Sequence, residues 1–229
     1  MTFGKKQIII TVIIAFVILS VPGVIFGYPY FKIWRENREF LANPQIHDDF
    51  VAAMDKEAEI KKDPTRIETY ITAMNRYKGL GDVTKDVRFY ERALAISDKT
   101  IDKFGTQSYL SYINASTIYM AIGDYTKAEE MIKKSIEMSP GDAQLYLRLI
   151  ELYRDFMKKS ESEIIAVYEN AIQRLVNVLP VYNAYAAYLR DIGRFEESLD
   201  KYEILYKAMP DNPLYAQTVK ELRIKVANQ

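Results

Sequence analysis

The 229-residue sequence contains no cysteine and a single histidine, His47. Without thiols, the chain forms no disulfide bond and supplies no thiolate to a metal ion or a nucleophilic site. The phosphate-binding patterns GxGxxG and GxxxxGK(S/T) are also absent, so the sequence gives no local support for nucleotide binding. His47 lies in a polar stretch, where we interpret it as a solvated residue rather than a catalytic or metal-binding one. We therefore predict that this chain is not an enzyme and needs no cofactor or metal.

Neither sign of charge is in excess, because lysine plus arginine and aspartate plus glutamate each total 31 residues. Nucleic-acid binding usually requires a basic surface, so the composition gives no reason to expect it. Hydrophobic residues make up 49% of the chain and aromatic residues 13%, proportions that are typical of folded protein. The chain is expected to fold and to have partners other than nucleic acid.

One long stretch, from Gln7 to Phe31, lacks charge altogether. Its apolar part, residues 8–27, would span roughly 30 Å as a helix, which matches the hydrocarbon core of a bilayer. A cleavable signal peptide has a shorter apolar core and a small-residue exit site, and a buried helix of a globular domain shows polar residues at helical spacing. We therefore predict a transmembrane helix at residues 7–31, behind a basic tail at residues 1–6, with a cleaved signal peptide as the alternative.

Aromatic residues cluster where this predicted helix ends, namely Tyr28, Tyr30, Phe31 and Trp34. Such rings are typical of the level at which a helix leaves the membrane; the alternative is that they pack beneath the folded domain. Lysine and arginine are nearly balanced on the two sides of the segment, so the orientation rests on the short N-terminal tail, which commonly stays in the cytoplasm. We expect the folded domain on the extracytoplasmic side.

Residues 109–140 have the pattern of two amphipathic helices separated at Gly123. Apolar and small residues recur at three- and four-residue steps on both sides of this glycine, which places them on one face of each helix. The same register returns at residues 180–210, with Gly193 at the position of Gly123. In the first copy, the residues in this register are Tyr112, Ala115, Ser116 and Tyr119, followed by Tyr125, Ala128, Ile132 and Ser135.

This pattern resembles the tetratricopeptide repeat (TPR), a unit of about 34 residues that forms a helical hairpin. An intervening unit carries its extra residues in a turn at Lys158–Glu161, and a weaker first unit surrounds Tyr77. The resemblance implies an all-α TPR solenoid of about four repeats at residues 65–229, behind the transmembrane helix. Glycines are expected in the turns between paired helices, including Gly79–Gly81.

The two ends of a solenoid need polar covers, because each terminal repeat otherwise exposes an apolar face. We interpret residues 32–64 as a polar connector followed by a capping helix at Asp48–Lys62. The alternative, an amphipathic helix on the membrane surface, lacks the basic polar face usual there. The last helix would close the other end by burying Leu214, Val219 and Leu222.

The concave wall of a TPR solenoid is built from the first helix of each hairpin, and extended peptides commonly bind there. Asn75, Asn114 and Arg148 match positions of the carboxylate clamp of some chaperone-binding TPR proteins, but Ile71 and Gln144 replace its two lysines. We weigh peptide binding along this wall against simple solvation of its polar side chains. By the resemblance, the wall is lined by Asn75, Lys78, Asn114, Thr117, Gln144, Arg148, Glu151, Asn183 and Arg190.

These features predict a single-pass membrane protein whose TPR domain binds protein partners or peptide segments as a non-catalytic scaffold or adaptor. The main alternative is a structural subunit of a larger membrane-bound machine. A remote alternative is a secreted TPR domain released from a signal peptide. TPR solenoids serve unrelated functions on one fold, so the sequence does not identify the partner.

Overall fold

The computed structural model describes residues 30–228, and every regular element in that range is a helix. The transmembrane helix predicted at residues 7–31 lies outside the described residues except for its last two positions. Within residues 30–228, no helix combines the length and the apolarity needed to cross a membrane. The helices are α1 (30–41), α2 (His47–Lys62), α3 (Ile67–Thr84), α4 (Val87–Phe104), α5 (Leu110–Ala121), α6 (Tyr125–Met138), α7 (Ala143–Glu151), α8 (Glu161–Arg174), α9 (Leu179–Asp191), α10 (Phe195–Ala208) and α11 (Pro213–Ala227).

Helices α3 to α10 pack as four consecutive hairpins, each formed by helices that are neighbours in sequence. Helix α2 packs on α3 at one end of the stack, and α11 packs on α10 at the other. Buried apolar side chains form clusters that follow the stack from end to end, with Phe50, Tyr146 and Leu222 in successive clusters. The predicted all-α, TPR-like solenoid is confirmed for the described residues.

Small residues sit at the places where paired helices approach closely. Ala115 of α5 and Ala128 of α6 are fully buried in the second hairpin. In the fourth hairpin, Ser198 stands at the position of Ala128, and its Oγ donates to the backbone oxygen of Ala186 at 2.8 Å. A side-chain atom within hydrogen-bond distance of the partner backbone leaves no room for a larger residue. A small residue at this position of the second helix therefore allows the two helices of the hairpin to approach closely.

Left-handed glycines make two of the turns, as the sequence indicates. Gly123 has a φ of 79° and Gly193 a φ of 82°, a conformation that residues with a Cβ rarely adopt. The expectation for Gly79–Gly81 is wrong, because α3 continues without interruption to Thr84. The turn of the first hairpin comes later, at Lys85, which itself has a φ of 60°. Gly81 serves close packing instead, since a Cβ there would lie 2.8 Å from the ring of Tyr90.

The third hairpin accommodates its extra residues partly within a helix. Helix α7 continues into a π-helical segment, Leu152–Met157, and Lys158 then turns the chain with a φ of 52°. A π-turn inserts residues into a helix without ending it, so the insertion is not confined to the Lys158–Glu161 turn. Helix α8 begins with a capping box in which Ser160 and Glu163 bond reciprocally, and the bonds from Ser160 lower the pKa of the Glu163 carboxyl to about 2.

Both ends of the solenoid differ in detail from the expected covers. The segment interpreted as a polar connector begins with helix α1, in which Glu36 and Phe40 are buried. The last helix, α11, buries Val219 and Leu222 as expected, but Leu214 is 63% exposed. Tyr215, one residue later, is buried in its place. Tyr215 shares the helical face of Val219 and Leu222, because these residues follow it at four- and seven-residue steps, whereas Leu214 lies outside that face.

The two glycines near the end of α3 provide a matched test of this packing. Gly79→Ala should raise the free energy of unfolding by about 0.5–1 kcal/mol, because alanine favours a helix and no atom lies within 4 Å of the added Cβ. Gly81→Ala should lower it, since the buried Tyr90 ring would have to move. Chemical denaturation of both variants measures these two changes in the free energy of unfolding. If both substitutions destabilise the protein, the glycines form a turn instead.

The close approach within the second hairpin is tested by Ala128→Leu. Overpacking at this buried position should cost about 1–3 kcal/mol of stability. Ala166→Leu, at an exposed position in α8, is the control and should change the melting temperature little. Equal melting temperatures for the two variants would mean that the paired helices do not meet at Ala128.

Candidate functional site

The predicted peptide-binding wall lies on the first helices of the four hairpins. Helix α3 carries Asn75 and Lys78, and it contacts α5, which carries Asn114 and Thr117. Helix α7 contacts α9 in the same way, and α7 joins the first pair through α6. The first helices that carry the predicted wall therefore lie in two adjacent pairs, α3 with α5 and α7 with α9. The residues on the second pair are Gln144, Arg148 and Glu151 of α7 with Asn183 and Arg190 of α9.

Exposure divides the nine predicted residues into two groups. Lys78, Asn114 and Thr117 are half-buried, and the other six are exposed. The half-buried side chains bond within their own helices: Lys78 pairs with Asp82 at 2.7 Å, and Asn114 Nδ2 donates to the backbone oxygen of Leu110 at 2.9 Å. These bonds engage one donor of each side chain and hold the side chain against its own helix. The α3 and α5 part of the wall is therefore less available than the α7 and α9 part.

Arg148 is the free cation of the wall. Its side chain is exposed and forms no ion pair with any residue of the described range. By contrast, Arg190 lies 3.5 Å from Asp191. An arginine without a partner keeps all its donors for a carboxylate or a backbone carbonyl of a ligand. Within the predicted clamp positions, Arg148 is consequently the residue best placed to hold a peptide.

A cleft of about 470 Å³ opens on the other side of α7, between α6 and α8. This volume lies within the range of common ligand pockets. Its floor is apolar, and its rim carries charged and amide side chains. The lining residues are Lys133, Ile136 and Glu137 of α6, Tyr146, Leu149 and Tyr153 at α7 and its π-segment, and Glu163, Ala166, Val167 and Asn170 of α8.

A small ionic network lies beside this cleft. The hydroxyl of Tyr153 donates to Glu129 Oε1 at 2.7 Å, and Lys133 pairs with the same oxygen. Burial alone would raise the pKa of the Glu129 carboxyl, but hydrogen bonds from Lys133 and Tyr153 hold it below its ordinary value. Burial, together with the bond to Glu129, raises the pKa of Tyr153. Because these charges are already paired, the cleft suits an apolar group rather than an ion.

The sequence did not reveal this cleft, although one signal was present. The extra residues of the third repeat include the π-segment, and α7 and α8 pack against each other less extensively than α5 and α6 do. Neither surface brings three or more potential metal-ligating residues together within the described range.

Comparison with known proteins agrees with the repeat register. Residues 109–142 match the tetratricopeptide repeat family. A stretch of 111 residues is 30% identical to the BBSome complex member BBS4 of Bos taurus; it represents 45% of this chain and 20% of that protein. The chain thus spans about a fifth of the length of this relative.

Solved structures of TPR proteins share the fold. The chain resembles YrrB, described as a TPR protein with an unusual peptide-binding site, with a TM-score of 0.50 and 16% identity over 77% of this chain and 86% of that one. It also resembles MamA, with a TM-score of 0.50 and 18% identity over 78% of this chain and 90% of that one. At these identities the likeness concerns the fold alone. The chain therefore contains a tetratricopeptide repeat and folds as a TPR-like helical solenoid.

Proposed function

We propose that this chain is a membrane-anchored TPR scaffold that holds protein partners near a bilayer without catalysing a reaction. The observation that carries the proposal is the TPR-like solenoid itself, with exposed polar side chains along its first helices. Repeat solenoids of this kind present extended binding surfaces, and their polar side chains pair with the backbone of a bound peptide. A non-catalytic role is supported by the sequence, which has no cysteine and one histidine.

The membrane part of the proposal rests on the sequence. Between Gln7 and Phe31 there is no charged residue, and this length suits a transmembrane helix. In the described part of the chain, Tyr30, Phe31 and Trp34 are exposed, so these rings do not pack beneath the first repeat. Exposed aromatic rings directly after an apolar run are typical of the interface where a helix leaves the membrane. The extracytoplasmic side for the repeats remains a proposal from the short N-terminal tail.

A second candidate function is that of a subunit in a larger membrane-bound assembly. It is favoured by the similarity to BBS4, which is named as a member of the BBSome complex. In that case the outer surface of the solenoid, including the cleft between α6 and α8, would contact other subunits permanently. The two functions differ in the surface that the partner occupies.

Membrane anchoring predicts a simple fractionation result. Full-length protein should sediment with membranes and stay there after alkaline carbonate washing, because about 20 apolar residues in lipid are not displaced by high pH. A fragment of residues 30–229, which lacks most of the apolar run, should be released into the supernatant by the carbonate wash. This fragment retains Phe40, which is buried in the core, whereas one starting at residue 45 would lose it. Release of the full-length protein by carbonate, or its processing near residue 25, would contradict anchoring.

Peptide binding along the wall predicts an effect of Arg148→Ala. The variant should keep its melting temperature, because the side chain is exposed and unpaired within residues 30–228, but should bind the partner about 1–2 kcal/mol more weakly. Arg174→Ala, an exposed arginine on a second helix, is the matched control. Affinity is measured with the partner recovered by solubilised full-length protein.

The same measurement separates the wall from the cleft. Ala166→Glu places a carboxylate in the cleft and leaves the wall untouched. If Arg148→Ala binds like the parent protein while Ala166→Glu binds weakly, the partner occupies the cleft, and the role of assembly subunit becomes the better account.

A further inference from the structure

Helix α1 has two faces with different environments. Glu36 and Phe40 are buried against the first repeat. The opposite face carries large exposed side chains at helical spacing: Trp34 is 55% exposed and Phe31 58% exposed. Tyr30 precedes them, and Leu41 ends the same face. Exposed aromatic rings in this number on one face of a folded helix are unusual, because they are costly to leave in water.

The acidic and basic residues of α1 alternate in the sequence, but in the structure they lie in different environments. Both acidic residues are paired with arginines of α4, and Arg88 is shared between Glu39 and Asp86. Glu39 receives two hydrogen bonds from Arg88, at 2.7 and 2.9 Å, and Glu36 receives one from Arg92 at 3.1 Å. The Arg88 guanidinium accordingly holds the pKa of the Glu39 carboxyl below its ordinary value.

The basic residues of α1 remain on its solvent side. Arg35 and Arg38 are exposed and pair with no carboxylate of the described residues. The Arg38 guanidinium lies 5.7 Å from the ring centre of Trp34, and Trp34 stacks on Phe31 at 5.8 Å. Lys32 reaches Glu36 only at 3.8 Å, across the edge of the helix. The outer face of α1 (Phe31, Trp34, Arg35, Arg38 and Leu41) thus combines rings with positive charge and has no free acid.

Contacts with the domain hold this face outward. Phe40 packs on Phe89 and Phe50, with ring centres 4.3 and 5.1 Å away. Arg88 and Arg92 flank the Phe40 ring at 4.5 and 5.4 Å while they bind Glu39 and Glu36. Two ion pairs around a buried ring fix both the position and the rotation of α1. The outer face therefore points away from the solenoid as a consequence of the fold.

We propose that the outer face of α1 is a binding surface for anionic phospholipid headgroups, on which the first repeat rests at the membrane. Rings of tryptophan, tyrosine and phenylalanine favour the headgroup level of a bilayer. Arginine beside them favours an anionic surface by roughly fivefold for each residue near it. This inference rests on the proposed membrane anchoring but not on the side proposed for the repeats, and it adds the lipid class and the orientation of the domain.

The favoured occupant is lipid rather than protein because of this combination of residues. Arg35 and Arg38 flank the rings, and free acids are lacking, so the face complements a sheet of negative charge over an apolar layer. The face is also directly continuous with the uncharged run that ends at Phe31. A protein partner on the same rings is the competing outcome in the test.

Trp34 is the single tryptophan of the chain, so its fluorescence reports on this face alone. Full-length protein is reconstituted into vesicles of phosphatidylcholine, with or without phosphatidylglycerol, in which the acyl chains carry bromine as a quencher. With phosphatidylglycerol, Trp34 should emit at shorter wavelength and be quenched at least twofold more strongly than without it. Added salt should reduce the difference, because it screens exposed charges.

Two double variants are compared. The test variant carries Arg35→Gln and Arg38→Gln, and the control carries Arg66→Gln and Arg174→Gln, which replace exposed arginines on the repeats. The first pair should abolish the effect of phosphatidylglycerol, and the second should leave it unchanged. Equal quenching in both lipid mixtures, or shielding of Trp34 only by an added protein, would overturn the inference. Flotation of the same vesicles after carbonate treatment tests the membrane anchor separately from the lipid contact of α1. Protein that floats while Trp34 stays unquenched would refute the lipid contact. Protein that does not float would refute the anchor.

Discussion

The N-terminal part of the structure depends on the contact between Arg92 and Glu36. The guanidinium donates to the carboxylate at 3.1 Å, and both side chains are largely buried. Arg92 also lies over the rings of Phe40, Phe50 and Tyr77, at 5.4 to 5.9 Å from their centres. A charge in such surroundings is tolerated only with a partner, so loss of Glu36 would leave the arginine both buried and unpaired.

This contact makes α1 part of the repeat domain. A helix joined to the domain by a mobile linker would let the solenoid tumble relative to whatever the preceding residues are attached to. The paired glutamates and Phe40 instead give α1 one position on α4. The direction of the whole stack is then fixed relative to α1.

Much of the fold could be predicted from the sequence, because it depends on local patterns that repeat. The buried Ala128 and the left-handed Gly123 have counterparts at the same spacing in the last hairpin, Ser198 and Gly193, and each has a physical reason. The errors arose where tertiary contacts decided the outcome. Gly81 looks like a turn residue, yet it lies within α3 because the Tyr90 ring needs its space. Leu214 looks like a core residue, yet Tyr215 packs beside Tyr202 of α10 in its place.

The surfaces were harder to predict than the fold. First-helix positions follow from the repeat register, so the exposed Arg148 was found in the sequence. The bonds of Lys78 and Asn114 are made to residues four positions away in the same helix, so they could have been anticipated from the helical spacing. The cleft beside Tyr153 depends on a π-turn, and the sorting of charge on α1 depends on arginines about 50 residues further along the chain. Pairs between residues this far apart in the sequence can be recognised only from the three-dimensional arrangement of the helices.

The central claim is that α1 is fixed to the solenoid and does not move as a separate helix. Hydrogen exchange of the backbone amides tests it most directly, because residues 36–41 can be compared with α4 in the same full-length protein. If α1 is fixed in this way, both segments should exchange slowly and to a similar degree. Fast exchange of residues 36–41, at the rate of an unprotected chain and beside a protected α4, would contradict it.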